Sequence, residues 1–183
     1  NNTLTNCGSD YASMEISYGW NNLIDGNTII GTGQYDNSII MLSAFSNNNM
    51  ISNNWGTNGD YGFWIAWGSS MNTIYHNYLS NFSYVGIYMD SETSSTTIYN
   101  NTILNSAQNN AYQEVPAETV NWDFNGVGNF WGNHNCVDND NNGICENPYN
   151  FPGDADYYPL ASPSWNTNTT TENFFDIQFN IKK

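Results

Sequence analysis

The chain has 183 residues, which suits one domain with a hydrophobic core of its own. Only Lys182 and Lys183 carry a permanent positive charge, and the formal net charge of -15 excludes partners that need cationic contacts, such as nucleic acid, anionic lipid and phosphate substrates. Hydrophobic residues make up 39% of the chain, so it is not a disordered acidic tail. The sequence contains no run of roughly 18 apolar residues of the kind that spans a membrane.

The chain opens on NNTLTN, which reads as the middle of a repeat and has no features of a signal peptide. We therefore expect a processed mature chain or a fragment of a longer protein. Four N-x-S/T sequons suit a glycosylated protein outside the cell or on its surface. The candidate acceptors are Asn1, Asn81, Asn100 and Asn168.

An internal repeat of about 24 residues organises the following segments. In four similar stretches an Ile stands three residues before an Asn, and these Asn residues are spaced 27, 23 and 24 residues apart. Asn2 lies 25 residues before the first of them and is expected to join the same column. The pairs are Ile24/Asn27, Ile51/Asn54, Ile74/Asn77 and Ile98/Asn101.

Two or three short β runs per repeat predict an all-β protein, a parallel β-helix of about five or six coils. Equivalent residues of successive coils would then stack roughly 4.8 Å apart in columns. The Ile column would fill the interior, whereas the Asn column would occupy left-handed corners and form a hydrogen-bonded ladder. The alternative is an antiparallel sandwich of short strands.

Residues 80–106 resemble the right-handed parallel β-helix repeat of NosD-like proteins and of many archaeal and bacterial surface proteins. Residues 127–160 resemble the terminal segment of NosD-like β-helices, and the resemblance as a whole covers about 160 residues. It implies a right-handed coil with an irregular C-terminal segment. The matching elements are Gly128-Asn129-Phe130-Trp131, the acidic turn 138–143, Pro148-Tyr149, and Asp156-Tyr157-Tyr158-Pro159-Leu160.

The segment VDNDNNGICENPY (137–149) has the spacing of a calcium loop, because Ca²⁺ needs several oxygen ligands from a tightly turning backbone. Gly143 stands at the sharp turn, but position 12 is Tyr149 instead of the usual Glu, so Asp156 or Asp154 is expected to complete the shell. The alternative is a solvated turn without metal. The expected ligands are Asp138, Asp140, Asn142, the Ile144 carbonyl, Glu146 and Asp156.

Cys136 and Cys145 flank this acidic loop and are expected to form a disulfide, worth about 2.5 kcal/mol in the chain-entropy model. This pair departs from the family pattern. The alternatives are two free thiols or a zinc site, for which only His134 lies near. Cys7 is left over, either as a small buried residue or as an intermolecular partner. The family name suggests copper, but with isolated histidines and scattered methionines we predict no copper site.

The composition divides the chain into four parts: repeats in 1–126, a terminal calcium-loop segment in 127–161, a Thr/Asn/Ser-rich linker in 162–172 and a C-terminal strand in 173–183. The last part alternates apolar and polar residues and has no obvious partner strand in its own chain, so we expect it to pair with a neighbouring copy. The alternatives are that this strand folds back onto its own domain or begins a further domain. Its apolar positions are Phe175, Ile177, Phe179 and Ile181.

Catalytic groups are hard to identify in the sequence. A lyase acting on acidic sugars needs cations that are missing here, and a glycoside hydrolase needs two carboxylates at a suitable separation. The carboxylates of the repeats neither recur in one column nor cluster in one loop, so no enzymatic activity is predicted. These candidates are Asp10, Glu15, Asp25, Asp36, Asp60, Asp90, Glu92, Glu114, Glu118 and Asp123.

Aromatic residues offer a possible binding surface. The run GFWIAWG is expected to direct Trp64 to one face and Phe63, Ile65 and Trp67 to the other. Exposed aromatics could stack on sugar rings or on a neighbouring protein, and the alternative is that they fill the core. The other candidates are Tyr18, Trp20, Trp55 and Tyr88.

These features together favour an extracellular structural protein, a β-helix subunit of a surface filament, surface layer or adhesive stalk. Copies of the chain itself are the expected partners, with possible glycan contact, and Ca²⁺ is the expected cofactor. The alternative function is a carbohydrate-binding or glycoside hydrolase-like β-helix.

Overall fold

The computed structural model describes residues 1–7, 11–32, 37–114 and 120–165. The described chain folds into a parallel β-helix of about five turns, without helices, as the repeats predicted. Each turn contains three short strands because Asn, Gly and Ser interrupt every apolar run after a few residues. The three strands of a turn belong to three different sheets, so the antiparallel sandwich is excluded.

The first sheet has six strands and runs the length of the coil, with parallel pairing between its neighbours. The second sheet has five strands and the third has four. The first sheet comprises β1 (Thr3–Thr5), β4 (Thr28–Ile30), β7 (Trp55–Thr57), β10 (Tyr78–Phe82), β13 (Thr102–Ser106) and β15 (Phe130–Trp131). The second comprises β2 (Ala12–Ser17), β5 (Ser38–Ser43), β8 (Tyr61–Ile65), β11 (Val85–Met89) and β14 (Asn109–Gln113). The third comprises β3 (Leu23–Asp25), β6 (Met50–Ser52), β9 (Thr73–Tyr75) and β12 (Thr97–Tyr99).

The isoleucine column lies inside the coil, as predicted. Ile24, Ile51, Ile74 and Ile98 occupy equivalent positions in the third sheet and are all buried. Strands of the other two sheets contribute further buried side chains, among them Phe63 and Leu79, to the same core. Stacking of like residues therefore builds one continuous apolar interior along the coil axis.

The corners of the coil require left-handed backbone, but the ladder asparagines are not the residues that adopt it. The residues before Asn27, Asn54, Asn77 and Asn101 have positive φ values, and these four asparagines themselves do not. A short polar residue or glycine accepts this conformation at least cost, which explains why Asn and Gly punctuate the repeats. The corner residues are Gly26, Asn53, His76 and Asn100.

One end of the coil is closed by residues 120–160. A short antiparallel hairpin of β16 (Tyr149–Phe151) and β17 (Asp154–Asp156) lies over the last turn. Buried Trp122 and Trp131 pack against Tyr149 and Phe151 of this hairpin, with ring centroids 4.6 to 5.9 Å apart. The Gln113 backbone N–H donates to the Pro152 carbonyl and ties the hairpin to the second sheet. We call residues 120–160 the C-terminal cap.

The opposite end presents the first turn. Strands β1, β2 and β3 are edge strands of their three sheets, and none of the described residues pairs with their outer sides. Leu23 is 65% exposed there, and the interior side chains of Leu4, Met14 and Ile16 are only partly buried. The two ends of the described coil thus differ, one covered and the other open.

Several predicted features lie outside the described residues. These include the C-terminal strand with Phe175, Ile177, Phe179 and Ile181, most of the linker, the sequon at Asn168, and the carboxylates Asp10, Asp36 and Glu118. In the described ranges, no helix is long and apolar enough to cross a bilayer.

Candidate metal centre

The acidic loop of the C-terminal cap gathers three carboxylates. Asp138, Asp140 and Glu146 each place one oxygen within 4.8 Å of the others. All three side chains reach solvent to some degree, so an ion could enter without rearrangement of the cap. Among the described residues, this is the one group of three or more acidic, His or Cys side chains with metal-binding spacing.

Hydrogen bonds within the loop hold these carboxylates in place. The backbone N–H of Asn142 donates to Oδ1 of both Asp138 and Asp140, each at 3.1 Å. The N–H of Gly143 donates to Oδ2 of Asp138 at 3.2 Å, and its φ of 88° forms the sharp turn. Each aspartate therefore keeps lone pairs for a further partner while its position is fixed by the backbone.

The remaining predicted ligands contribute unequally. Glu146 receives the backbone N–H of Asn139 at 2.8 Å and its Nδ2 at 3.1 Å, which directs its carboxylate toward the loop. Asn142 Oδ1 accepts the Ile144 N–H at 2.7 Å, so one lone pair of this oxygen is already in use.

The Cys136–Cys145 disulfide is present, as predicted, and spans the loop with a sequence separation of 9. Cys145 is buried, and its backbone N–H donates to the Pro159 carbonyl at 2.8 Å. Ile144 forms an antiparallel bridge with Leu160. The DYYPL segment therefore does return to the loop, but through the backbone of residues 159–161. Cys7 is a free, half-buried thiol at the open end.

Asp156 does not belong to the metal cluster, contrary to the expectation from the sequence. Its side chain is fully buried and faces the coil interior. Oδ2 accepts the Asn129 N–H at 2.7 Å and the Trp131 indole N–H at 2.9 Å, and Oδ1 accepts the Tyr158 N–H at 3.0 Å. These donors fix the carboxylate at the end of the asparagine ladder, away from the acidic loop.

Burial dominates the protonation of Asp156. Removal from water raises the pKa of this carboxyl to about 6, and the hydrogen bonds from the Asn129 backbone and the Trp131 indole oppose that rise. Gly128 is packed directly against the carboxylate, and a Cβ at this position would clash with both oxygens. The site is thus a tight pocket of N–H donors around one acidic group.

The asparagine ladder runs through the whole described coil. The backbone N–H and the Nδ2 of each member donate to Oδ1 of the member one turn later, at 2.9 to 3.1 Å. The same Nδ2 also donates to a backbone carbonyl, as Asn54 does to Ile24 at 2.9 Å. The ladder comprises Asn2, Asn27, Asn54, Asn77, Asn101 and Asn129, and Asp156 is its final acceptor.

A second asparagine ladder was not predicted from the sequence. Asn22 donates its N–H and Nδ2 to Oδ1 of Asn49, and Asn49 donates likewise to Asn72, at 2.8 to 3.1 Å. Each of these residues precedes a member of the first ladder by five positions. That constant offset in the sequence is the signal that could have revealed it. Both ladders stabilise corners by satisfying buried amides.

The sequons occupy different environments. Asn1 and Asn81 are exposed, and Asn81 stands at a left-handed corner. Asn100 is half-buried, and the hydroxyl-bearing Thr102 of its sequon is fully buried. An exposed acceptor is the environment that glycosylation requires.

The carboxylates of the coil mostly bond to neighbouring polar groups. Ser83 donates to buried Asp60, and Ser43 donates to Glu15 at 2.6 Å. Hydrogen bonds from Asn53 and from Ser52, each at 2.7 Å, hold the pKa of Asp25 below its usual range. Glu114 accepts the phenol of Tyr88, and burial together with this carboxylate raises the pKa of that phenol.

The aromatic residues divide into stacked and exposed groups. Phe63 and Ile65 share one face and Trp64 lies on the other, as predicted, and the shared face is the interior. Trp67 does not share that face but lies at an exposed corner. Tyr88 stacks on Tyr112 with centroids 5.4 Å apart. Trp55 stacks on Tyr78 in the same way on the first sheet, so these side chains fill outer columns of the coil.

Comparison with known proteins identifies a family. Residues 1–136, most of the coil, match the family described as "Periplasmic copper-binding protein (NosD)". A comparison with curated proteins found no match. The periplasmic description agrees with the expectation of an exported protein. With its parallel coil and this match over well over half of its length, the chain belongs to the NosD family.

Proposed function

We propose that this chain is an exported structural protein, a β-helix subunit that assembles head to tail into a surface filament, layer or stalk. The observation that supports this proposal is the alternation of apolar and polar side chains in residues 175–181, which suits a strand that pairs with the edge of a parallel sheet. The C-terminal cap covers one end, whereas the first turn presents three edge strands and partly buried core side chains. Unpaired edge strands are templates for a further strand.

The partner proposed for this open turn is the C-terminal strand of a neighbouring copy. Residues 175–181 alternate strictly between apolar and polar side chains, which suits a strand with one face on a hydrophobic core. The interior residues of the first turn would supply that core. Backbone pairing with β1, β2 or β3 would give the contact its affinity, and the alternating side chains would set its register.

Ca²⁺ is the proposed cofactor of the C-terminal cap. Three carboxylates held close together repel one another, and a hard divalent cation relieves this repulsion with the oxygen ligands it prefers. The ion would fix the loop between the disulfide and the Ile144–Leu160 bridge, where the coil ends. Its role is then structural: the ion stabilises the loop at the end of the coil that the C-terminal cap covers.

Copper, which the family description mentions, fits this chain poorly. Cu²⁺ and Cu⁺ favour imidazole, thiolate and thioether ligands. His76 Nδ1 lies 2.6 Å from Asn53 Oδ1, and His134 Nε2 lies 3.1 Å from the Asn147 carbonyl, in separate parts of the fold. The described metal cluster contains only carboxylates. The chain's own residues therefore favour a hard cation.

The assembly proposal is tested on the full chain by electron microscopy and by light scattering after size exclusion, in the presence of Ca²⁺. The test variant replaces Phe175, Ile177, Phe179 and Ile181 with Ser, and the matched control replaces Asp176, Gln178 and Asn180 with Ser. We expect ordered assemblies from the wild type and the control but single subunits from the test variant. Monomers of the wild type at every concentration would overturn the proposal, as would unchanged assembly of the test variant.

A further inference from the structure

After the C-terminal cap, the chain turns back along the side of the coil. The Leu160 backbone N–H donates to the carbonyl of Asn129, the last asparagine of the ladder, at 2.9 Å. The Ser164 hydroxyl then donates to the carbonyl of Asn100 at 2.8 Å, one turn earlier in the coil. These two bonds direct the chain from the last turn toward the first. We call residues 161–165 the return segment.

Trp165 holds the return segment on the coil. Its ring lies on the corner of the next earlier turn, with its centroid 5.5 Å from that of the His76 ring and 6.2 Å from that of the Tyr78 ring. Rings at these distances attract one another. The Trp165 side chain is only half-buried, however, and keeps part of its surface in water. The contact is therefore specific, yet weak enough to open reversibly.

Charge favours this contact. The described strands of the first sheet, to which Tyr78 belongs, contain no Asp or Glu, although the chain has 17 acidic residues. Residues 160–171 contain none either. An uncharged segment thus lies beside an uncharged sheet, where the like-charge repulsion that acts elsewhere on this acidic chain does not oppose docking.

Docking of the return segment points the chain away from the neighbour that the proposed assembly requires. In a head-to-tail assembly, the C-terminal strand has to pass its own C-terminal cap to reach the next copy. Nine residues separate docked Trp165 from Phe175, and they span at most about 30 Å. The way back from the turn of His76 to that of Asn129 already takes roughly 10 Å of this reach, before the cap is passed.

Release of the return segment changes both its direction and its reach. Without the contacts of Ser164 and Trp165, the chain is free after Ala161, whose N–H donates to the Gly143 carbonyl in the cap at 2.9 Å. Thirteen residues then precede Phe175, and they span up to about 45 Å from the cap itself. A longer tether that starts closer to the partner raises the effective concentration of the strand there.

We propose that the contact of Trp165 with His76 and Tyr78 is autoinhibitory: it holds the C-terminal segment along its own coil, and its release permits donation of the strand to a neighbouring copy. This inference rests on the proposed function, because it concerns the regulation of the same strand contact. Only the contact between copies depends on concentration, so a rising concentration shifts the population toward the released state.

The first measurement tests docking in single subunits. The background is the full chain in which the apolar strand positions are replaced with Ser, so that assembly does not interfere; these positions are Phe175, Ile177, Phe179 and Ile181. Chymotrypsin cleaves after Trp165 when the return segment is released, and cleavage of a reversibly opening segment follows the population of its open form. Mass spectrometry of this cleavage therefore reports docking.

Two substitutions weaken docking without changing Trp165 itself. His76→Asn removes the ring contact and gives this turn the Tyr-Asn-Asn sequence of residues 99–101, one turn later, whose middle residue adopts the same left-handed backbone. Ser164→Ala removes the hydroxyl donor. Trp67→Ala is the matched control, because its ring is 46% exposed at a different corner. We expect His76→Asn and Ser164→Ala to be cleaved about threefold faster or more, and Trp67→Ala to be cleaved like the background.

The second measurement is the lag before assembly, followed by light scattering with Ca²⁺ on chains that keep the C-terminal strand. His76→Asn and Trp165→Ala should shorten the lag about threefold or more, whereas Trp67→Ala should leave it unchanged. Equal cleavage of all variants would show that the return segment is not held, and an unchanged lag in chains that assemble would overturn the regulation alone. Faster cleavage of His76→Asn without assembly of any chain would overturn the proposed function, and this regulation with it.

Discussion

The indole N–H of Trp131 donates to the carboxylate of Asp156 at 2.9 Å inside the C-terminal cap, and the same oxygen accepts the last N–H of the asparagine ladder. One buried acidic group thereby joins the coil to the hairpin that closes it. The loop that resembles a calcium site lies apart from this junction, so two separate sites, the Asp156 hydrogen bonds and the acidic loop, stabilise the cap.

Titration of Asp156 should make the stability of the cap depend on pH. The folded pKa of about 6 lies above the unfolded value of 3.8, so the folded state binds the proton more tightly. The contribution is fully present below pH 3.8 and is lost as pH rises through 6. The difference of about 2 units corresponds to about 3 kcal/mol.

Thermal unfolding from pH 3.5 to 7.5 measures this effect when the wild type is compared with Asp156→Asn. The comparison cancels the contributions of other carboxylates, such as Asp25, whose lowered pKa acts in the opposite direction. We expect the wild type to lose stability relative to the variant as pH rises. A constant difference across the range would contradict the assignment.

Interrupting the ladder should cost more than removing an exposed amide. Asn77 is fully buried, accepts two N–H groups from Asn54 and donates to Asn101 and to the Ile51 carbonyl. Asn77→Ala leaves buried donors and acceptors unpaired, which should lower the free energy of unfolding by about 2–4 kcal/mol. Chemical denaturation measures the loss, with exposed Asn150→Ala as the control, expected within about 0.5 kcal/mol of wild type.

Removal of Ca²⁺ should lower the thermal midpoint. A ligand at a hundred times its Kd stabilises the folded state by about 2.7 kcal/mol, which corresponds to a shift of about 5–11 °C for a chain of this size. Calorimetry with Ca²⁺, Mg²⁺ and a chelator tests this. Asp138→Asn combined with Asp140→Asn should abolish the calcium response, whereas Asp123→Asn, outside the loop, should keep it. An identical midpoint with and without chelator would mean that the loop binds no calcium.

Gly128→Ala should destabilise the cap through a steric clash alone, without backbone strain. A methyl group at this position meets both oxygens of Asp156, and the φ of Gly128 is not among the left-handed values. The carboxylate is held by N–H donors and cannot withdraw without losing them, so we expect a loss of about 1–3 kcal/mol. Pairing this substitution with Asp156→Ala, which vacates the space, should recover part of it in a double-mutant cycle. Strictly additive losses would refute the contact.

The coil was predictable because its stability comes from stacking like on like. Ile24, Ile51 and Ile74 fill one buried column, and burial permits only a few residue types there. The Asn residues, spaced 27, 23 and 24 apart, also stack from turn to turn, and the differences in spacing come from loops of different length. Periodic constraints of this kind leave a strong mark on a sequence.

The role of Asp156 was missed because the acidic loop offered a simpler explanation for one more carboxylate. Asn129 stands 28 residues after Asn101, and Asp156 stands 27 after Asn129, so the ladder spacing already contained the assignment. The substitution of Asp for Asn concealed it. The exposed corner of Trp67 was missed for another reason, since strand alternation stops at a turn that only the backbone reveals.

The ladder also gives the coil a polarity. Each ladder asparagine from Asn27 to Asn101 accepts with Oδ1 from the preceding turn and donates its backbone N–H and one Nδ2 N–H to the following turn, so this series of hydrogen bonds runs in one direction along the axis and its members polarise one another. A carboxylate can receive such a series but cannot extend it, because it has no N–H to pass on. Duplicated turns can thus be inserted anywhere before Asp156 without breaking the series, and none can follow it. In this coil, the replacement of a ladder asparagine by Asp156 ends the hydrogen-bonded series at the last turn.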